Sequence, residues 1–137
     1  MQSDDQLITI WFNLYSGQKN KFCAGEYMGE LLEKIKSKKA KIGVIGLGYV
    51  GLPLALEFVR NGYCVTGIDK SKERVDSLNK GMSYVIDVKS EDITQFIEKG
   101  LLCVTHDVSV LSTLDAVSIC VPTPLTKTKD PDMSYII

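Results

Sequence analysis

The sequence predicts an α/β fold, in which a parallel β-sheet carries helices on its faces. Three observations lead there. From Lys41 onward, short apolar runs of strand character alternate with segments whose apolar residues recur at helical spacing. Stop signals at Asn61-Gly62, Gly81 and Gly100 close the helical segments. A glycine-rich stretch, Gly46-Leu47-Gly48-Tyr49-Val50-Gly51, lies where the first strand gives way to the first helix. Strands alternating with helices in this order imply parallel pairing through right-handed crossovers.

Each element has its own signal. In Gly25 to Ser37, Met28, Leu31, Leu32 and Ile35 define a short amphipathic helix that ends in a basic run, Lys36-Ser37-Lys38-Lys39, suited to the helix dipole. Lys41 to Gly46 is a buried strand, and Gly51 to Arg60 is a helix with Pro53 in its first turn, where proline is tolerated. Tyr63 to Asp69 is the second strand, followed by a helix capped by Ser71 that carries Val75 and Leu78. Ser90-Glu91-Asp92 opens a third helix with Ile93, Phe96 and Ile97 on one face. A strand at Leu101 to Thr105, a short helix after Asp107 and a last buried strand at Ala116 to Val121 complete the series. Composition shifts near Lys41, so the chain divides into an N-terminal extension, residues 1–40, and a sheet domain, residues 41–137. Residues 1 to 24 hold an aromatic run that packs on the domain, mediates self-association, or is an artefact of the start site.

Composition narrows the function classes. The 137 residues carry a formal net charge of -1, which exerts no general pull on nucleic acid or an anionic membrane. Any phosphate must therefore be recognised locally. The apolar stretch Leu7 to Tyr15 is too short for a bilayer span, which needs about 20 residues, and no basic segment precedes it as in a secretory signal. Cytoplasmic residence follows as the expectation. Cys23, Cys64, Cys103 and Cys120 show no C-x-x-C spacing and His106 stands alone, so neither zinc nor c-type haem is expected. Reduced thiols packed in the core are the expected state of these cysteines.

The glycine stretch carries the chemistry. Gly46 permits a tight turn, Gly48 allows close approach of a pyrophosphate to the backbone, and Gly51 lets the helix pack tightly on the strand. The first turn of the helix offers unpaired N–H groups and about half a positive charge, so a diphosphate can bind without lysine or arginine. This is the Rossmann dinucleotide arrangement, with about four strands of the sheet present before the chain ends at Tyr135-Ile136-Ile137. The chain is thus expected to be truncated. It lacks the G-x-x-x-x-G-K-[ST] pattern of Walker-type ATPases.

Asp69 ends the second strand 18 residues after Gly51, near the spacing at which a carboxylate accepts from the adenosine ribose hydroxyls. A 2'-phosphate at that position would be repelled by about 1 to 4 kcal/mol at about 4 Å, so NAD is expected over NADP. Lys70 and Arg74 soften that repulsion, unless Arg74 stacks near the adenine instead. A helix-capping or turn role is the plain alternative for Asp69.

At this point the residues resemble a known family. Ile45 to Ala55 (IGLGYVGLPLA) is similar to the opening of the UDP-glucose/GDP-mannose dehydrogenase family, as are Asp69 with Ser77 to Gly81, Asp107, and Val121 to Leu125 (VPTPL) followed by DPDMSYI. The VPTP and DPDMSY segments look most like the branch acting on UDP-N-acetylhexosamines. His106 departs from the threonine common at that position. The resemblance implies a four-electron oxidation of a nucleotide sugar at C6 with two NAD, through a cysteine thiolate and a supporting lysine that lie beyond Ile137. It places Thr123 against the cofactor, at the carboxyl edge of the sheet. Pro122 and Pro124 stiffen that loop.

The expected cofactor-binding set is therefore Gly46, Gly48, Tyr49, Val50, Gly51, Asp69, Lys70, Arg74, Val121, Pro122 and Thr123, with no catalytic residue and no metal ligand. Cys120, inside an apolar run, is expected to pack in the core rather than act as a nucleophile. A nucleotide sugar used in polysaccharide biosynthesis is the expected substrate of the full-length protein, and a homo-oligomer is allowed. The rival readings are a stand-alone NAD-binding regulatory module and another NAD-dependent dehydrogenase of hydroxyacid type.

Overall fold

The structure is a computed structural model that describes residues 9–12 and 24–122. Its elements are β1 (Thr9–Phe12), α1 (Ala24–Lys36), β2 (Lys41–Ile45), α2 (Gly51–Arg60), β3 (Cys64–Ile68), α3 (Lys72–Asn79), α4 (Ser90–Glu98), β4 (Leu102–Thr105), a 3₁₀ turn (Val108–Thr113) and β5 (Ala116–Ile119). The sheet runs in the order β1-β5-β2-β3-β4. β2, β3, β4 and β5 are parallel, with Ile42 opposite Val65 and Ala116, and Val65 opposite Leu102. This is the expected Rossmann-type arrangement of four parallel strands with flanking helices. Each of these strands is one or two residues shorter than expected.

Alternation along the strands divides the apolar residues between two faces. Ile42, Val44, Val65, Leu102 and Val104 enter the main core with α2, α3 and α4. Helix α2 contributes Leu52, Ala55, Leu56 and Val59, an i, i+3, i+4, i+7 stripe that is wholly buried. It ends where Gly62 takes a φ of +89°, a left-handed position that costs glycine nothing. Ile68, Leu114 and Val117 form a smaller cluster on the opposite face, with Ile45, Val110, Leu111 and Ile119 against it.

The two-faced sheet corrects the expectation for the cysteines. Cys120 is buried, but Cys64 and Cys103 are exposed free thiols. Cys64 shares the parity of Ile68 on β3, and Cys103 alternates with Leu102 and Val104 on β4, so both fall on the thinly covered face. Cys23 lies outside the described residues.

The N-terminal extension meets the sheet domain at two places. β1 pairs antiparallel with β5, Thr9 opposite Ile119 and Phe12 opposite Ala116, so this segment joins the same sheet. Helix α1 packs along one ridge only: Leu31 is buried and Ile35 is packed on the core, whereas Met28 and Leu32 are 61% and 49% exposed. The ridge is tied down by polar contacts. Lys34 reaches Asp115 at 2.9 Å, and the Tyr63 hydroxyl donates to the Ile35 carbonyl at 3.1 Å.

The topology places the site. The chain leaves β2 toward β3 on one side, but returns from β4 across the sheet to β5 on the other side of β2. Ligands of open α/β sheets bind at the carboxyl ends of strands where the order reverses in this way. Here that position is the carboxyl ends of β2 and β5, where Gly46 and Cys120 stand.

Candidate cofactor site

The turn after β2 is built by close approach of backbone to backbone. The Cys120 amide donates to the Ile45 carbonyl at 2.7 Å and the Gly46 amide to the Ile68 carbonyl at 2.8 Å, so three strands converge on Gly46. Gly46 has a φ of +88°, and a Cβ there would strike the Cys120 carbonyl. A Cβ on Gly51 would strike the Gly46 carbonyl. A Cβ on Gly48, by contrast, would meet no atom within 4 Å. Two glycines thus serve packing, and the middle one borders open space.

Donors line that space. Val50 caps α2 with no side-chain hydrogen bond, and the first turn holds no acidic residue. Among the described residues, no protein acceptor faces the amides of Gly48, Tyr49, Val50 or Gly51. Such amides at a helix start suit an anion. Gly48 and Tyr49 line a crevice of about 390 Å³ together with Glu73, Arg74, Ser77, Tyr84 and Val85. The turn is therefore neither plugged by side chains nor closed off, and it fits a dinucleotide pyrophosphate.

Asp69 sits beneath the turn, only 4% exposed. Its Oδ2 accepts from the Leu47 amide at 2.8 Å and its Oδ1 from the Ser71 amide at 2.9 Å. Arg74 Nη1 lies 3.5 Å from Oδ2. The carboxylate is thus part of the turn's scaffold. A carboxylate offers about four lone-pair sites, and these three contacts use three of them.

The remaining expected residues fall in two groups. Tyr49 is exposed and Val50 half-buried, both at the start of α2, while Arg74 stands at the crevice and Lys70 is exposed. Val121 is half-buried beside the turn, 3.3 Å from where a Gly46 Cβ would be, and Pro122 is exposed. Thr123, Pro124 and the DPDMSYI segment lie outside the described residues. His106 is exposed, and Asp107 caps the 3₁₀ turn by accepting from the Ser109 amide at 2.9 Å. Burial pushes the Cys120 thiol up in pKa, against a Ser118 hydrogen bond that lowers it.

Tyr84 was not among the expected residues. Its hydroxyl donates to the Leu47 carbonyl at 2.6 Å, and its ring lies 5.6 Å from the Arg74 guanidinium carbon. It stands in an irregular stretch between α3 and α4, where no periodicity marks it. A tyrosine in a loop with Met82, Val85, Ile86 and Val88 reads from sequence as one more apolar residue.

Comparison with known proteins bears directly on this geometry. A model of the NAD binding domain of the UDP-glucose/GDP-mannose dehydrogenase family matches residues 40–137. The chain belongs to this family. Its cofactor is accordingly NAD, and members of the family are NAD-dependent dehydrogenases. The chain is 38% identical over 97 residues to the UDP-N-acetyl-D-mannosamine dehydrogenase of Pyrococcus horikoshii, covering 70% of this chain and 23% of that protein. It is 35% identical over 99 residues to the UDP-N-acetyl-D-glucosamine 6-dehydrogenase of Salmonella typhi, covering 72% and 22%. The solved UDP-D-ManNAc dehydrogenase of Pyrococcus horikoshii superposes with a TM-score of 0.65 at 38% identity, over 70% of this chain and 23% of that one. A ternary complex of GDP-mannose dehydrogenase from Pseudomonas aeruginosa gives 0.61 at 35% identity, over 69% and 22%. The chain thus spans less than a quarter of the length of these relatives.

Proposed function

We propose that the chain is the NAD-binding portion of a nucleotide-sugar 6-dehydrogenase whose substrate is a UDP-N-acetylhexosamine, oxidised at C6 to the uronic acid with two NAD. The observation that carries the reading is the turn at Gly48. Free amides, an open approach and a supporting carboxylate coincide there, at the switch point of a sheet matched by this family. The substrate class is favoured by the UDP-N-acetylhexosamine dehydrogenases among the relatives.

In this reading the residues divide the work. The amides of Gly48, Tyr49, Val50 and Gly51 take the pyrophosphate, and Gly46 and Gly51 hold the turn against β5. Asp69 fixes the turn and presents its remaining lone pair to the adenosine ribose, with Arg74 and Lys70 beside it. Val121 and Pro122, which follow β5, lie toward the nicotinamide end, and Thr123 remains the residue that the family resemblance assigns to the cofactor. NAD bound there would accept hydride. No residue of the described part is assigned to the chemical step.

Cytoplasmic residence and a place in polysaccharide biosynthesis belong to the same proposal, as does a homo-oligomeric full-length protein. No described helix is long and apolar enough to cross a membrane, and the chain carries a formal net charge of -1. The test is an assay of the full-length protein that contains this chain, supplied with NAD and either UDP-N-acetylglucosamine or UDP-N-acetylmannosamine. Two NADH formed per sugar oxidised is the expected result. A protein that oxidises neither sugar, yet turns over a different alcohol, would overturn the substrate assignment.

A further inference from the structure

We propose that Tyr84 is a positioning residue for the cofactor's diphosphate, acting through the Leu47 carbonyl to aim the Gly48 amide. The inference rests on the NAD-binding reading and adds to it a residue outside the glycine motif.

The Leu47 carbonyl and the Gly48 N–H belong to one rigid plane and point in opposite directions. A hydrogen bond that fixes the carbonyl therefore fixes the direction of the amide. Tyr84 supplies that bond at 2.6 Å. The preceding peptide is held as well, since the Leu47 N–H is bound by Asp69 at 2.8 Å. Two successive peptide units before α2 are thus locked, one by a carboxylate and one by a phenol.

Both sides of the Tyr84 bond are preorganised. Leu47 is fully buried and packs on β3, where a Cβ on Gly67 would lie 2.9 Å from its Cδ2. The backbone around Tyr84 is anchored: the Ser83 amide donates to Ser90 Oγ at 3.0 Å, the Met82 amide to the Ser77 carbonyl at 3.0 Å, and Val85 is buried. Burial, helped by the Asp69 charge, pushes the Tyr84 phenol up to about 12, so it remains a donor at neutral pH. Donation into the Leu47 carbonyl also polarises the shared peptide and makes the Gly48 N–H a stronger donor. The Gly48 amide has no protein acceptor among the described residues and borders the crevice that Tyr84 itself lines.

The test uses the whole chain and Tyr84→Phe, which keeps the ring and removes the hydroxyl. NAD and ADP-ribose, which share the diphosphate, should each bind about five- to tenfold more weakly to the variant, and adenosine should bind equally well to both. The amide resonance of Gly48 in the ligand-free chain should shift upfield. A chain with fluorotyrosine at position 84, a stronger donor of nearly the same shape, should shift that resonance downfield, and this serves if Tyr84→Phe fails to fold. An unmoved Gly48 amide, or a loss for adenosine as large as that for ADP-ribose, would overturn the proposal. If the wild-type chain binds neither NAD nor ADP-ribose, the cofactor reading fails and takes this proposal with it; if it binds both and the Gly48 amide does not move in Tyr84→Phe, the Tyr84 proposal alone fails.

Discussion

The Asp69 carboxylate accepts from the Leu47 amide at 2.8 Å across 22 residues of sequence, joining the end of β3 to the turn that follows β2. Because the carboxylate is almost wholly buried, this bond is part of the fold as well as of the site. Replacing Asp69 with Asn leaves one accepting oxygen where the Leu47 and Ser71 amides need two, and turns an NH2 group toward a donor. Asp69→Asn should lower unfolding free energy by about 1 to 3 kcal/mol in urea denaturation. An unchanged midpoint would show that the carboxylate contributes nothing to the turn.

Asp115 is expected to set an acid limb in stability. Burial alone would raise its pKa, but the Lys41 amide and the Lys34 ammonium, each at 2.9 Å, outweigh burial and hold it below the ordinary carboxylate value. A carboxyl whose pKa is depressed by folding adds stability above its unfolded pKa and loses it as pH falls through the folded value. Wild type should therefore lose stability below about pH 4 more steeply than Asp115→Asn. Parallel pH profiles for the two chains would refute this.

The three described cysteines should separate by reactivity. Cys64 and Cys103 are exposed, whereas Cys120 is buried with its thiol pushed up in pKa. An alkylating reagent near neutral pH should modify the first two in the native chain and Cys120 only after unfolding, as read by peptide mass mapping. Rapid native labelling of Cys120 would contradict its place in the core.

These residues also show what a sequence can and cannot disclose. The glycine turn and the α2 stripe were legible because each depends on residues within a few positions of one another, such as Gly46, Gly48 and Gly51, and the parallel order because strands and helices alternate along the chain. β1 was not, since four residues become a strand only when a partner such as Ala116–Ile119 offers an edge. The exposure of Cys64 and Cys103 depends on how little covers one face of the sheet, which alternation along a single strand does not encode. Tyr84 meets Leu47 across 37 positions, and no spacing rule links them. Asp69 was legible as the acidic end of a strand. Its local contacts with Ser71 and Arg74 fit the turn role the sequence also allowed, whereas the Leu47 amide, 22 positions away, is brought to it only by the fold.

The account turns on Gly48, the one motif glycine whose Cβ would find empty space. Calorimetric titration with NAD of wild type and Gly48→Val, with urea unfolding run alongside, tests it most directly. The two chains should unfold at closely similar midpoints while only wild type takes up NAD, since a Cβ at position 48 meets no atom within 4 Å and the valine side chain stands in the approach to the amides. Equal NAD affinity in the two chains would contradict it.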